Sequence, residues 1–273
     1  MALVQLNFES KYLCGNTNVT VILPDLPRDV QPGTFYGSGR SYPVLWLLHG
    51  TFGDSTDWLR KTNIELYACE KNLIVVMPSA QNSDYANWPR FGMGFLMYDY
   101  LTEELMPLIY NWFPASSQRK DNFIAGLSMG GLGACVYAFN HPEKFSAACI
   151  MSSCPRDMRD IRFNSPWAYR TQNQLDNAGG LEAYLASPQN VWDLVRAMAA
   201  SPSLPDLYFS CGTEDPIAYK NFKKFRKYAE EAGLKAEFEE VPGFSHEWRF
   251  WDRTIQKALC RFLPDEEGHG NKF

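Results

Sequence analysis

Short runs of apolar, β-branched and aromatic residues recur along the chain, bounded by turn-forming residues. They fall at Leu3–Phe8, Asn18–Leu23, Val44–His49, Leu73–Pro78, Asn122–Leu127, Phe145–Met151, Leu207–Ser210 and Ala236–Val241, and each predicts a strand. From the third run onward they alternate with Trp58–Lys71, Tyr98–Trp112, Met129–Asn140, Ala218–Ala232 and Trp248–Phe262. In those segments apolar residues return every three or four positions, the helical period. Strands alternating with helices imply βαβ units, hence a mainly parallel sheet with helices on both faces. No helix separates the first two runs, so they are expected to pair as an antiparallel hairpin at one sheet edge.

One stretch breaks the alternation. From about Pro155 to Pro205 there is no clean strand, but there are two short helical patterns, around Gly180–Ala186 and Val191–Ala199. An excursion of this length is expected to be a cap with helices of its own rather than a bare loop. The residues after Pro264, DEEGHGNKF, are charged and glycine-containing and are expected to fray. The 273 residues therefore read as a single domain spanning 1–273, with a cap insertion at about 155–205.

Composition narrows the classes of function. With 45% hydrophobic, 15% aromatic and 21% charged residues, a sizeable core is available and wholesale disorder is excluded. The net charge of −5 gives no electrostatic footprint for nucleic acid or for an anionic membrane surface. No apolar run approaches the length of a membrane-spanning helix. The opening MALVQLNFES lacks the basic and apolar regions of a signal peptide, so a cytoplasmic location is expected, or secretion if a leader has been removed. The 7 cysteines are scattered without CxxC or metal-ligand spacing and read as reduced, mostly buried thiols, with pairing of Cys149 and Cys154 left open. No metal and no cofactor are called for. Lys220, Lys223, Lys224, Arg226 and Lys227 lie opposite Phe222, Phe225 and Tyr228, which reads as a solvated amphipathic helix rather than a binding face.

The sharpest chemical signal is Gly126-Leu127-Ser128-Met129-Gly130-Gly131, a G-x-S-x-G pattern with a strand candidate before it and a helix candidate after it. A strand–serine–helix turn strains the serine and projects its hydroxyl from the carboxyl end of the sheet, near the positive end of the helix. Ser128 is the candidate nucleophile. A serine hydroxyl needs a base within hydrogen-bond reach. Of His49, His141, His246 and His269, His246 follows the last strand candidate, where this strand order places the base. His141 reads as a helix cap, His269 lies in the tail, and His49 reads as a brace for the loop that begins there. The acid is expected after the preceding strand, where Glu214 and Asp215 stand; Asp215 is favoured because Pro216 fixes the turn. It would accept the Nδ1–H of His246 and stabilise the imidazolium.

The tetrahedral intermediate of acyl transfer needs backbone donors at its oxyanion. One is the N–H of Met129, the residue after the nucleophile. The other should come from His49-Gly50-Thr51-Phe52-Gly53, with Thr51 chosen and Phe52 as the neighbouring alternative. Trp88 and Trp167 lie in irregular segments and are the candidates for an apolar substrate pocket, whereas Trp248 and Trp251 read as helix packing. The chain order Ser128, Asp215, His246 also requires the sheet between them to be one unit.

The segments LWLLHGTFGDSTDWLRKTNIE, LIVVMPS, FIAGLSMGGLGACVYAFNHPEKFSAACIMS and GFSHEWRFWDRTIQKAL together resemble the esterase D-like family of α/β-hydrolases. Within it, the nearest resemblance is to tributyrin/acetyl esterases and bacterial feruloyl (cinnamoyl) esterases, over about Val44 to Phe262. The resemblance implies an α/β-hydrolase fold with a mostly parallel eight-stranded sheet and a small helical cap. It implies nucleophile Ser128, acid Asp215, base His246 and oxyanion donors Thr51 and Met129. It also implies a cofactor-free carboxylesterase whose partner is a small-molecule ester: a short acyl ester, a hydroxycinnamate ester or an acylated sugar. S-formylglutathione hydrolysis and acyl transfer would use the same residues, and a catalytically silent binding scaffold is the alternative of a different class. Oligomeric state is left open, a homo-oligomer included.

Overall fold

The computed structural model describes residues 2–24, 26–160 and 168–264. β1 (Ala2–Ser10) and β2 (Gly15–Leu23) form the expected antiparallel hairpin, in register from Ala2 opposite Leu23 to Ser10 opposite Gly15. A short helix α1 (Pro32–Tyr36) precedes β3 (Val44–Leu48), and α2 (Asp57–Lys61) and α3 (Ile64–Glu70) lead into β4 (Ile74–Pro78). A small ribbon of β5 (Asn87–Trp88) and β6 (Phe95–Leu96) follows, then α4 (Met97–Asp99), a π-helical turn over Tyr100–Leu105, and α5 (Met106–Trp112). The second half runs β7 (Asn122–Leu127), α6 (Met129–Asn140), β8 (Ala147–Met151), α7 (Ala168–Ala178), α8 (Leu181–Leu185) and α9 (Val191–Ala199). It closes with β9 (Asp206–Gly212), α10 (Tyr219–Glu231), β10 (Glu237–Val241) and α11 (Trp248–Phe262).

The main sheet has eight strands in the order β1-β2-β4-β3-β7-β8-β9-β10. β2 meets β4 antiparallel, and every pairing from β4 to β10 is parallel. Side chains alternate across a strand, so each central strand feeds two cores. Val44, Trp46, Leu48, Ile124, Ile150 and Phe209 face the layer built by α5, α6, α9 and α10. Leu45, Leu47, Phe123, Ala125, Met151 and Tyr208 face α2, α3 and α11. This is the α/β-hydrolase architecture.

Two helices differ in detail from their apolar patterns. The run Trp58–Lys71 breaks at Thr62, which is extended (φ −139, ψ 175). Its hydroxyl donates to the Trp58 carbonyl at 2.6 Å and accepts the Ile64 amide at 3.2 Å, ending one helix and starting the next. The run Tyr98–Trp112 widens into its π turn just before Pro107, whose ring nitrogen has no hydrogen to donate. The polar helix α7 was not anticipated: it buries Thr171 and Leu175, too little for an apolar period to show. The excursion after β8 is also divided in its packing. Leu175 of α7 and Tyr184 of α8 share a small cluster with Met158. α9 instead sends Val191, Val195 and Met198 into the main core, and Trp192 stacks on Tyr228 of α10 at 4.2 Å.

Candidate active site

Ser128 joins β7 to α6 with φ 51 and ψ −115, a left-handed conformation that costs a non-glycine residue strain. The turn is held from beneath: Ser128 N–H donates to the Met151 carbonyl of β8 at 2.8 Å. Glycines are needed here because backbone crowds them. A Cβ on Gly126 would lie 2.2 Å from the Gly130 carbonyl oxygen, and one on Gly130 would lie 2.4 Å from that of Leu48. α6 is thereby drawn against the end of β3, with Ser128 at the sheet's carboxyl edge. Met129 opens α6, so its N–H lies in the first turn, where a helix supplies no acceptor.

Asp215 follows β9, and His246 follows β10. Asp215 Oδ2 accepts a hydrogen bond from His246 Nδ1 at 2.7 Å. Asp215 Oδ1 accepts the amides of Ile217 at 2.9 Å and Ala218 at 2.8 Å. Burial alone would raise the carboxyl pKa. The hydrogen bond and charge of His246, with those two amides, outweigh it and hold the acid below its usual value. Asp215 is therefore an ionised carboxylate with 0% of its side chain exposed, paired with an imidazole that is 16% exposed. Glu214, the other acidic candidate, points its side chain into an exposed position. With Nδ1 donating, His246 Nε2 keeps its lone pair for a proton.

The two loops are zipped together. Glu214 N–H donates to the Phe244 carbonyl at 2.9 Å, and Ser245 Oγ donates to the Glu214 carbonyl at 3.2 Å. The His246 ring meets the edge of Trp251 at 5.0 Å, and Trp251 Nε1 donates to Ser152 Oγ at 3.0 Å. Ser152 directly follows Met151, whose carbonyl holds Ser128. His246 and Ser128 are thus tied to the same strand end.

The loop after β3 lies against the serine turn: a Cβ on Gly50 would come within 2.5 Å of Leu127 Cδ1 and 3.6 Å of Ser128 Cβ. His49 braces this loop as its position suggested. Its Nε2 accepts the Ala80 amide at 2.9 Å, so Nδ1 carries the proton and donates to the Gly50 carbonyl at 2.7 Å. Burial lowers its pKa, favouring that neutral form. Phe52 N–H donates to Asn82 Oδ1 at 2.9 Å and is engaged within the loop's own support. Thr51 Oγ1 accepts from Arg170 Nη1 at 2.6 Å. Asn82, Tyr85 and Arg170, all bonded to this loop, carry no sequence motif that would have singled them out.

Trp88 lines a cavity of about 240 Å³ with Leu132, Tyr98, Tyr184, Asn177 and Gln189, between the body and α7–α8. Leu132 is one helical turn beyond Ser128, its amide bonded to the Ser128 carbonyl at 3.1 Å. Trp167 lies outside the described residues. Trp248 packs edge-on against Trp58 and Trp251, a packing role. His141 ends α6 and its Nε2 is 2.9 Å from the Tyr98 hydroxyl. Cys149 and Cys154 are separate buried thiols, burial pushing Cys154 up to about 12. Among the described residues, no group of three or more His, Cys, Asp or Glu is arranged to hold a metal ion.

The Esterase family model, described as "Putative esterase", matches residues 10–262. An acetyl esterase of Caldicellulosiruptor saccharolyticus is 29% identical over 280 residues, covering 95% of this chain and 97% of that protein. The solved structure of FphF, a fluorophosphonate-binding serine hydrolase of Staphylococcus aureus, is 31% identical with a TM-score of 0.77, over 97% of this chain and 99% of that one. The S-formylglutathione hydrolase FrmB of the same organism is 31% identical with a TM-score of 0.75, over 96% and 98%.

Proposed function

The chain belongs to the Esterase family, and from that premise we propose that it is a serine carboxylesterase of small, uncharged esters in which Ser128, His246 and Asp215 form the catalytic triad. The observation that carries this reading is the presence, at the carboxyl edge of one sheet, of a strained serine in the β7–α6 turn and a hydrogen-bonded His246–Asp215 couple after β9 and β10. In the proposed cycle the Ser128 hydroxyl attacks the ester carbonyl while His246 Nε2 takes its proton. Asp215 holds the imidazole in the accepting tautomer and stabilises the imidazolium. The amides of Thr51 and Met129 receive the oxyanion, such donors contributing about 3 kcal/mol each in other enzymes. His246 then protonates the departing alcohol, and water activated by the same nitrogen releases the acid from Ser128.

The cavity beside Leu132 supports a neutral ester. Its described lining is aromatic and amide-bearing: Trp88, Tyr98 and Tyr184 with Asn87, Gln174, Asn177 and Gln189. Asp84 is the one charged residue of that lining, and it is paired with Arg170. A short acyl ester of a sugar, or a hydroxycinnamate ester, suits such a wall. A glutathione thioester is the second reading, favoured by the likeness to FrmB. Its two carboxylates would find amides rather than cations here. The first test is Ser128→Ala, which should lose nearly all hydrolysis of p-nitrophenyl acetate while staying folded. Near-wild-type turnover would refute the assignment. A screen of p-nitrophenyl esters by chain length, with methyl ferulate and S-formylglutathione alongside, separates the substrate classes.

A further inference from the structure

The loop from His49 to Ser55 is fixed largely by one neighbouring segment, residues 79–85. Ala80 N–H reaches His49 Nε2 at 2.9 Å, and the Tyr85 hydroxyl donates to the His49 carbonyl at 3.1 Å. Asn82 Oδ1 accepts the Phe52 amide at 2.9 Å, and Ser79 Oγ accepts that of Ser55 at 3.0 Å. Thr51 is held through its hydroxyl and from a different direction. Arg170 Nη1 donates to Thr51 Oγ1 at 2.6 Å, while Nε donates to Asp84 Oδ2 at 3.2 Å and Nη2 donates to Asp84 Oδ1.

The anchor for this clamp is unusual. Asp84 has a side chain only 7% exposed, and it sits with φ 55 beside Tyr85 with φ 53. Successive non-glycine residues in the left-handed region persist only where their surroundings fix them. The forked guanidinium suits the position because it grips both carboxylate oxygens and still has a nitrogen for the threonine. A lysine ammonium, a point charge, cannot reproduce that fork.

Arg170 belongs to α7, a helix that meets the body by polar contacts. Its Leu175 packs into the small cluster with Met158 and Tyr184, apart from both large cores. Its hydrogen bonds to the body include those of Arg170 and that of Asn177, whose Nδ2 donates to the Asn87 carbonyl at 2.8 Å. We infer that Arg170 is a positioning residue. By clamping Thr51 to Asp84 it couples the seating of α7 to the placement of the Thr51 amide in the oxyanion hole, so that turnover requires the helix to be docked. This rests on the esterase reading above and on Thr51 as a donor.

The test compares Arg170→Ala, Arg170→Lys, Thr51→Val and the double variant Thr51→Val/Arg170→Ala on p-nitrophenyl acetate, whose acetyl group is too small to need the cavity. The rate of Ser128 labelling by a fluorophosphonate is followed in parallel, and circular dichroism and thermal melts report folding. Removing one oxyanion donor lowers kcat by about 10²–10³-fold, so misplacing one should lower it by roughly 10- to 100-fold. Arg170→Ala should show that loss in kcat with KM within about threefold, and labelling should slow by the same factor. Arg170→Lys should not recover it, and the double variant should be no slower than the slower single variant. A raised KM with kcat kept, recovery by lysine, or losses that multiply would each overturn the inference. If Arg170→Ala does not fold, Thr51→Val breaks the same clamp while leaving the ion pair in place, and its unchanged kcat would equally overturn it. Failure of the parent reading looks different: wild-type protein would then not label at Ser128 at all.

Discussion

Replacing Asp215 by Asn changes one atom and separates orientation of the base from mere occupancy of the site. In the native turn Oδ1 already accepts two amides, from Ile217 at 2.9 Å and Ala218 at 2.8 Å. An asparagine must place its carbonyl oxygen there, since its NH₂ would face two donors. The NH₂ is then forced to the position of Oδ2, 2.7 Å from His246 Nδ1. Donor meets donor unless His246 moves its proton to Nε2, and with Nε2 protonated it cannot accept from Ser128. The same logic elsewhere lowers kcat by about 10⁴-fold, or about 5.5 kcal/mol of barrier at ~1.4 kcal/mol per tenfold. Because the asparagine oxygen keeps both amide bonds, the variant should fold. Steady-state hydrolysis of p-nitrophenyl acetate, with circular dichroism as the folding control, measures it. A kcat within tenfold of wild type in a folded Asp215→Asn protein would refute the tautomer argument and Asp215 as the acid.

Gly130→Ala would press a methyl group into the Leu48 and His49 carbonyl oxygens, 2.4 and 2.5 Å from the new Cβ. A thermal melt should show a loss of about 1–3 kcal/mol, with kcat falling as the serine turn shifts. Asn122 sits at the far end of β7, accepting from Trp46 Nε1 at 3.0 Å and Tyr110 at 2.8 Å and donating to the Ser116 and Gln118 carbonyls. Asn122→Ala should lower stability in urea by about 1–3 kcal/mol for each buried group left unpaired, while kcat of the folded protein stays within about twofold. His49 has its pKa lowered by burial from the usual 6.5, so the unfolded chain binds that proton more readily than the folded one. Its contribution is complete above pH 6.5 and is lost as pH falls toward the lowered value, and urea midpoints should drop across that window less steeply in His49→Gln.

Most of the fold was legible because it rests on period. The buried strands carry unbroken apolar runs, and α6 and α11 begin and end where their spacing says. The triad candidates were legible for another reason: each stands at the end of a strand, so recognising the strand locates the residue. The features without a sequence signature lack both signals. α7 is a polar helix with little apolar face, so Arg170 could not be placed on any element. Asn82, Asp84 and Tyr85 lie in an irregular segment where positive φ at Gln81, Asp84 and Tyr85, rather than residue pattern, sets the path. The packing of α9 into the main core is likewise a tertiary fact, since Val191, Val195 and Met198 would make the same stripe against a cap. The helix break at Thr62 is a hydroxyl competing with the backbone, which apolar spacing does not register.

The central claim is that catalysis passes through a covalent bond to the serine at the β7–α6 turn. Mass spectrometry of protein mixed with p-nitrophenyl acetate and quenched in acid addresses it most directly. The expected result is one acetyl group per chain, on the peptide containing Ser128, formed before steady turnover and absent from Ser128→Ala, which also does not turn over. An acetyl group carried by another residue, or a Ser128→Ala protein that still hydrolyses the ester near the wild-type rate, would contradict it.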